Sequence, residues 1–152
     1  RMAPHLALAQ LDAAVSRLEQ GQITTAAFGL LNPRSRTLTV ASAGHLPPLL
    51  VPPDGEPTFI PVDPGPPLGA ATYHCAETTV ALRPGSMLLF FTDGLVEDRV
   101  RPFDEGMDTL RRIAIGIRSP EELCDRALAA LERDHGHDDD VAILAVALTE
   151  DD

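Results

Sequence analysis

Two apolar runs in this sequence carry aspartates at their margins. Met87–Phe91 leads straight into Thr92-Asp93-Gly94, and Asp138-Asp139-Asp140 leads into the run from Val141 to Leu148. A short run with no polar alternation reads as a strand buried on both faces. An aspartate just past its end then lies near the core, where a bare carboxylate is costly. Either a hydrogen-bonded turn absorbs it or a cation does. If the two strands are antiparallel neighbours, the end of the first meets the start of the second at one edge of the sheet, and Asp93 converges with one of the three aspartates. Carboxylates brought together there repel unless a cation lies between them. An all-oxygen donor set suits Mg²⁺ or Mn²⁺ rather than Zn²⁺ or copper. Gly94 would let the backbone turn sharply beside the ion.

Plainer readings compete for each of these residues. A triple Asp taken alone is most often a solvated loop, and an Asp-Gly after a strand is more often a turn than a ligand. His135 and His137 lie in the same polar loop as the aspartates, with no Cys partner, which argues against zinc. His45, in "ASAGHLPP", reads as a turn histidine rather than a base, and His5 and His74 carry no partner signal. Glu97 is either a neighbour that supports the Asp93 site or plain surface.

Composition removes whole classes of chemistry. All 12 basic residues are Arg, so neither a P-loop lysine nor a Schiff-base lysine is present. A net charge of −11 argues against nucleic acid as a partner and against an anionic membrane. No apolar run approaches the length of a membrane span. Two cysteines, Cys75 and Cys124, cannot make a disulfide framework and suit a reducing, cytoplasmic setting. The length of 152 residues fits one domain, and 44% hydrophobic residues suffice for its core. The chain opens on Arg1 rather than Met, which leads us to expect an upstream part.

The elements that must position the aspartates follow from periodicity. Pro4 suits a first helical turn, and Leu8, Leu11, Val15 and Leu18 recur on one helical face, with Gly21 as a stop. "ITTAAFGLL" and "RTLTVASA", joined by "NPRS", predict an antiparallel hairpin. "GHLPPLLVPPDGEP" predicts a third strand, proline-broken and edge-like, with an Asp54-Gly55 turn. "VDPGPPLGAA" is a loop, "YHCAETTVAL" a strand, and "RPGS" turns it into the Met87–Phe91 strand. A helix is expected over Phe103–Ile117. A second runs from Ser119-Pro120 to about Arg133, with Glu122 at the capping-box position. The last run reads as a fully buried strand. Strands linked by short turns, with the helices grouped, give an α+β layered fold.

In this order, "ASAGHLPPLL" (41–50), "GPPLG" (65–69), "LRPGSMLLFFTDG" (82–94), "TDGLVE" (92–97) and "DDDVAILAV" (138–146) resemble the SpoIIE-like branch of the type 2C, metal-dependent (PPM) serine/threonine protein phosphatases. The resemblance covers nearly the whole chain. "FTDGLVE" and "DDVA" are its most specific parts, and "FDEGMDTL" resembles the helix start that follows the aspartate in bacterial members.

The resemblance implies an antiparallel β-sandwich flanked by helices. It implies two Mn²⁺ or Mg²⁺ ions held by aspartates, with a metal-activated water attacking a phosphoserine or phosphothreonine in line and no catalytic side chain beyond the metal ligands. Asp93 matches the aspartate of the family's Thr-Asp-Gly motif, and Asp139 the first of its Asp-Asp or Asp-Asn pair. Asp140 and Gly94 are further candidates, as ligands or as supports beside them. The family's Gly-Gly-Asp-like and Gly-Asp-Val-x-Gly-His-Gly-like segments do not occur here. Residues 1–152 therefore correspond to the C-terminal part of a single phosphatase domain without its N-terminal strands, and this part alone is expected to be inactive. Implied partners are a phosphoserine or phosphothreonine protein of the anti-anti-sigma type and a second copy of the chain as a homodimer. The alternatives are a catalytically dead phosphatase-like interaction or regulatory module, and an unrelated acidic metal-binding or structural domain.

Overall fold

A computed structural model describes residues 2–18, 23–70, 74–97, 102–131 and 140–149. In chain order the elements are α1 (Pro4–Leu18), β1 (Ala26–Asn32), β2 (Thr37–Ala43), β3 (Leu49–Val51), β4 (Thr58–Phe59), β5 (Glu77–Ala81), β6 (Met87–Phe91), α2 (Phe103–Ile113), α3 (Pro120–Leu131) and β7 (Ile143–Ala147). They fall into two units, Arg1–Pro47 with Ile60–Ala81, and Pro48–Phe59 with Leu82–Asp152.

The first unit is the expected hairpin with a helix against it. β1 and β2 are antiparallel, paired from Ala26↔Ala43 to Asn32↔Thr37, and β5 adds to the far side of β2. The Arg36 N–H closes the hairpin loop onto the Pro33 carbonyl at 3.1 Å. Helix α1 packs on β1 and β2. Its inward residue Leu8 forms a buried cluster with Ala41, Ala43 and Leu68, and Val15 packs against that cluster. Leu11, expected on the same face, is 45% exposed. The buried side of α1 runs through Pro4, Leu8 and Val15, and Leu11 lies off it. Glu77 on β5 binds the start of α1: its carboxylate accepts from the His5 backbone N–H at 3.0 Å and meets the ring Nδ1 at 2.7 Å. That bond holds the Glu77 carboxyl below the ordinary glutamate range.

The second unit contains a four-stranded antiparallel sheet in the order β4-β3-β6-β7. β6 lies between two strands, which explains its apolar run: Met87, Leu88, Leu89 and Phe91 are all buried. Three expectations change here. β3 is not an edge. Only Leu49–Val51 pair, the prolines at 47, 48, 52 and 53 stay outside the ladder, and the two-residue β4 is the edge beyond it. The "RPGS" turn makes no hairpin, because β5 pairs with β2 while β6 pairs with β3 and β7. β7 is not fully buried. Among the described residues it pairs with β6 alone, and Leu144 is 58% exposed.

Helices α2 and α3 pack together, and α3 packs on β7. α2 ends at Ile113 rather than Ile117, with Gly116 following at φ 76°. Ser119 caps α3 as expected, accepting from the Glu122 N–H at 3.3 Å. The capping box is not completed by Glu122, which pairs with Arg126 at 2.7 Å; the Ser119 hydroxyl donates to Glu121 instead.

Candidate functional site

The strand β6 ends against β7 in the arrangement the aspartates require. The two are antiparallel, with Phe91 opposite Ile143. One residue further on, the Thr92 N–H donates to the Ala142 carbonyl at 3.0 Å. The Thr92 hydroxyl accepts from the Ala142 N–H at 2.9 Å and donates to the Asp140 carbonyl at 3.1 Å. The segment that follows Thr92 and the segment that precedes Ile143 are thus tied together at one end of the sheet.

Past Thr92 the chain makes a 3₁₀ turn over Asp93–Leu95. The Thr92 carbonyl accepts from the Leu95 N–H at 3.1 Å, and the Asp93 carbonyl accepts from the N–H groups of Val96 and Glu97 at 2.9 Å each. Leu95 and Val96 are fully buried, so the turn is anchored by its apolar half. Asp93 itself is exposed, and its Oδ1 accepts from the Gly94 N–H at 2.9 Å. Of the two solutions open to a carboxylate at a greasy strand end, the hydrogen-bonded turn is present. Asp93 lies beside the core, as expected, and the core takes the two residues after Gly94. Gly94 is buried and is not among the residues with positive φ, so no left-handed turn requires a glycine there.

Asp140 is exposed at the start of β7. Asp139, with Asp138, His135 and His137, lies outside the described residues. Glu97 is exposed at the end of the turn. His45 is a turn histidine: its N–H donates to the Ser42 hydroxyl at 3.0 Å, and that hydroxyl donates to the His45 carbonyl at 2.8 Å. Cys75 and Cys124 are unbridged, and burial pushes the Cys124 thiol up, away from nucleophile chemistry.

Two residues to which the motif reading gives no role bear on the turn. Thr92 is one; it stands in the Thr-Asp-Gly motif, with a hydroxyl at the last step of a strand. Gly106 on α2 is the other. A Cβ there would lie 2.0 Å from the Val96 carbonyl oxygen, so α2 touches the Asp93 turn backbone to backbone. A glycine inside a helical pattern, as in "FDEGMDTL", is the signal for such an approach. On the strand side, Phe91 meets Phe59 at a ring-centroid distance of 6.3 Å.

The Stage II sporulation protein E (SpoIIE) family matches residues 1–149. This chain belongs to the SpoIIE family. As a SpoIIE-family chain it is a phosphatase-family domain of the PPM type. It is 32% identical to a solved structure of the RsbU and RsbW domains of Rv1364c from Mycobacterium tuberculosis, covering 92% of this chain and 40% of that one with a TM-score of 0.80. It is similar in fold to the SiaA-PP2C domain of Pseudomonas aeruginosa (22% identity, 95% of this chain and 60% of that one, TM-score 0.75). It is likewise similar to the manganese-presoaked phosphatase domain of the cell fate determinant SpoIIE from Bacillus subtilis (12% identity, 99% of this chain and 76% of that one, TM-score 0.63). The chain spans 40% and 60% of the first two. These likenesses agree with the α+β class, antiparallel sheets flanked by helices. No helix among the described residues is long and apolar enough to cross a membrane.

In kind, the donors at this sheet end among the described residues, exposed carboxylates and backbone carbonyls, fit a hard divalent cation. In number they give a partial shell, since no group of three or more His, Cys, Asp or Glu able to hold a metal occurs among the described residues.

Proposed function

We propose that this SpoIIE-family chain carries part of a Mn²⁺- or Mg²⁺-dependent protein phosphatase site for phosphoserine or phosphothreonine. One observation carries the reading: Thr92 ties the end of β6 to the start of β7, bringing the Asp93 turn and the 140–142 segment to one end of one sheet. Asp93 and Asp139 would hold the ions, two in the whole site, with Asp140 and Gly94 beside them. Bound there, such ions acidify water and neutralise charge on the phosphoryl oxygens. The chain's own contribution is orientation. The Gly94 N–H fixes one Asp93 oxygen and leaves the other as a donor, and the buried Leu95 and Val96 keep the turn from yielding. No side chain is needed as a nucleophile. A small phosphoprotein of the anti-anti-sigma type is the substrate we infer from the family, and a cytoplasmic setting agrees with the two unbridged cysteines.

The test is Asp93→Asn in a protein containing the whole phosphatase domain, assayed on a phosphoserine protein with saturating Mn²⁺. The substitution keeps shape and removes charge, and losing one ligand should lower the rate by roughly a hundredfold or more. A variant retaining more than half the wild-type rate would make Asp93 a turn residue only. The partial donor set favours a second reading, a phosphatase-like interaction module without catalysis. A whole domain inactive on every phosphoprotein offered, with either metal, would select it.

A further inference from the structure

In an antiparallel ladder, directly opposed residues of a hydrogen-bonded pair exchange both N–H···O=C bonds. Thr92 and Ala142 are such a pair, one step beyond Phe91↔Ile143, yet only half of the exchange runs through the backbone. The Thr92 N–H reaches the Ala142 carbonyl, but the Thr92 carbonyl accepts from Leu95 to start the 3₁₀ turn. The Ala142 N–H goes to the Thr92 hydroxyl instead, at 2.9 Å. The side chain thus stands in for its own carbonyl, and β6 leaves the ladder one residue before Asp93 without taking the partner from a strand N–H.

The same hydroxyl has one proton to give, and it goes to the Asp140 carbonyl at 3.1 Å. That bond reaches one peptide from Asp139. We propose that Thr92 is a positioning residue for the metal site: its hydroxyl sets the spacing between the Asp93 turn and the backbone at Asp140. Serine can do both jobs. Valine has nearly the same shape and can do neither, leaving the Ala142 N–H and the Asp140 carbonyl without this partner. The inference rests on the reading that these aspartates hold the cation.

The experiment uses a protein containing the whole phosphatase domain, labelled with ¹⁵N and titrated with Mn²⁺, well below each variant's unfolding midpoint. Paramagnetic broadening of the amide signals around Gly94 gives the dissociation constant. Thr92→Ser should bind within about twofold of wild type, and Thr92→Val about tenfold more weakly, the scale on which supports behind metal ligands act. A merely structural threonine would lower the midpoint of the valine protein and leave the constant of its folded form unchanged, and that result overturns the proposal. If Thr92→Val does not fold, the serine protein decides: wild-type affinity supports the proposal, and tenfold weakening overturns it. Asp93→Asn separates the two levels. If it and wild type broaden alike, or wild type does not broaden at all, the metal reading falls and this inference with it. If Asp93→Asn loses the effect while Thr92→Val keeps it, only the role of Thr92 falls.

Discussion

Gly106→Ala sets two well-known effects against each other at the back of the Asp93 turn. Gly106 lies inside α2 with an ordinary φ, so alanine meets no backbone strain. Helix propensity alone then favours the change by about 0.5–1 kcal/mol. Contact opposes it. The new methyl would lie 2.0 Å from the Val96 carbonyl oxygen, 2.8 Å from its carbon and 3.0 Å from its Cα. All three are backbone atoms, so no rotamer relieves the overlap, and α2 or the turn must retreat by about 1 Å to reach even a tight contact. Overpacking of this kind costs about 1–3 kcal/mol. Contact should win, with a net loss of about 1–2 kcal/mol and a midpoint lower by roughly 2–8 °C for a domain of this size. Urea and thermal unfolding followed by circular dichroism measure it. Because the displaced group is the carbonyl three residues after Asp93, Mn²⁺ broadening around Gly94 should weaken as well. A Gly106→Ala protein more stable than wild type would show that α2 does not bear on the turn as described.

At neutral pH the first unit should be less stable in Glu77→Gln than in wild type, with the two converging as pH falls. The Glu77 carboxyl is held below its ordinary value chiefly by the His5 N–H, so its stabilisation is present above the ordinary glutamate range and lost as pH drops through the lowered value. A pH-independent gap between the two proteins would remove that account. Without metal, Asp93→Asn should be no less stable than wild type, since an amide oxygen can still accept from the Gly94 N–H; a clear drop in midpoint would make the charge itself structural. Chelator should leave the wild-type chain folded, while Mn²⁺ at ten times its dissociation constant adds about 1.4 kcal/mol; unfolding by chelator would show that the ion is part of the fold.

The sequence displayed most clearly what is local and repetitive. The α1 start at Pro4, the hairpin loop after Asn32, the Ser119 cap and the double burial of β6 all follow from a few adjacent residues, and the structure has them. Sequence pattern and structure part where the same pattern serves two positions. An unbroken apolar run fits a central strand, as β6 is, and also an edge strand partly covered by a helix, as β7 is. What separates them is a neighbouring strand, which no window of sequence contains. Prolines on both sides of Leu49–Val51 suggest an edge, but the ladder uses only the three residues between them. The Glu77–His5 contact spans 72 residues and has no local trace. At the site, motif types point to Asp93 and the aspartates before β7, while Thr92 and Gly106 stand in the same motifs without a role assigned to them. Their roles lie in bonds and contacts made across the fold, not in their own chemistry.

A carboxylate beside a core can be tolerated in two ways, and they have different consequences for function. Had Asp93 been buried, the fold itself would have required a cation, and metal loss would have meant unfolding. Here the apolar demand of the turn is met by Leu95 and Val96, and the charge stays exposed with one oxygen bonded to the Gly94 N–H. The geometry of the turn is therefore set by packing and backbone bonds before any ion arrives. An ion that enters such a turn spends little of its binding energy on ordering the protein. On the proposed metal reading, a shift of α2 against Val96 or of the 140–142 segment against Thr92 would change its affinity. On that reading stability and metal affinity would be separable properties of the same turn, which is the condition a site needs if its activity is to be controlled without unfolding it.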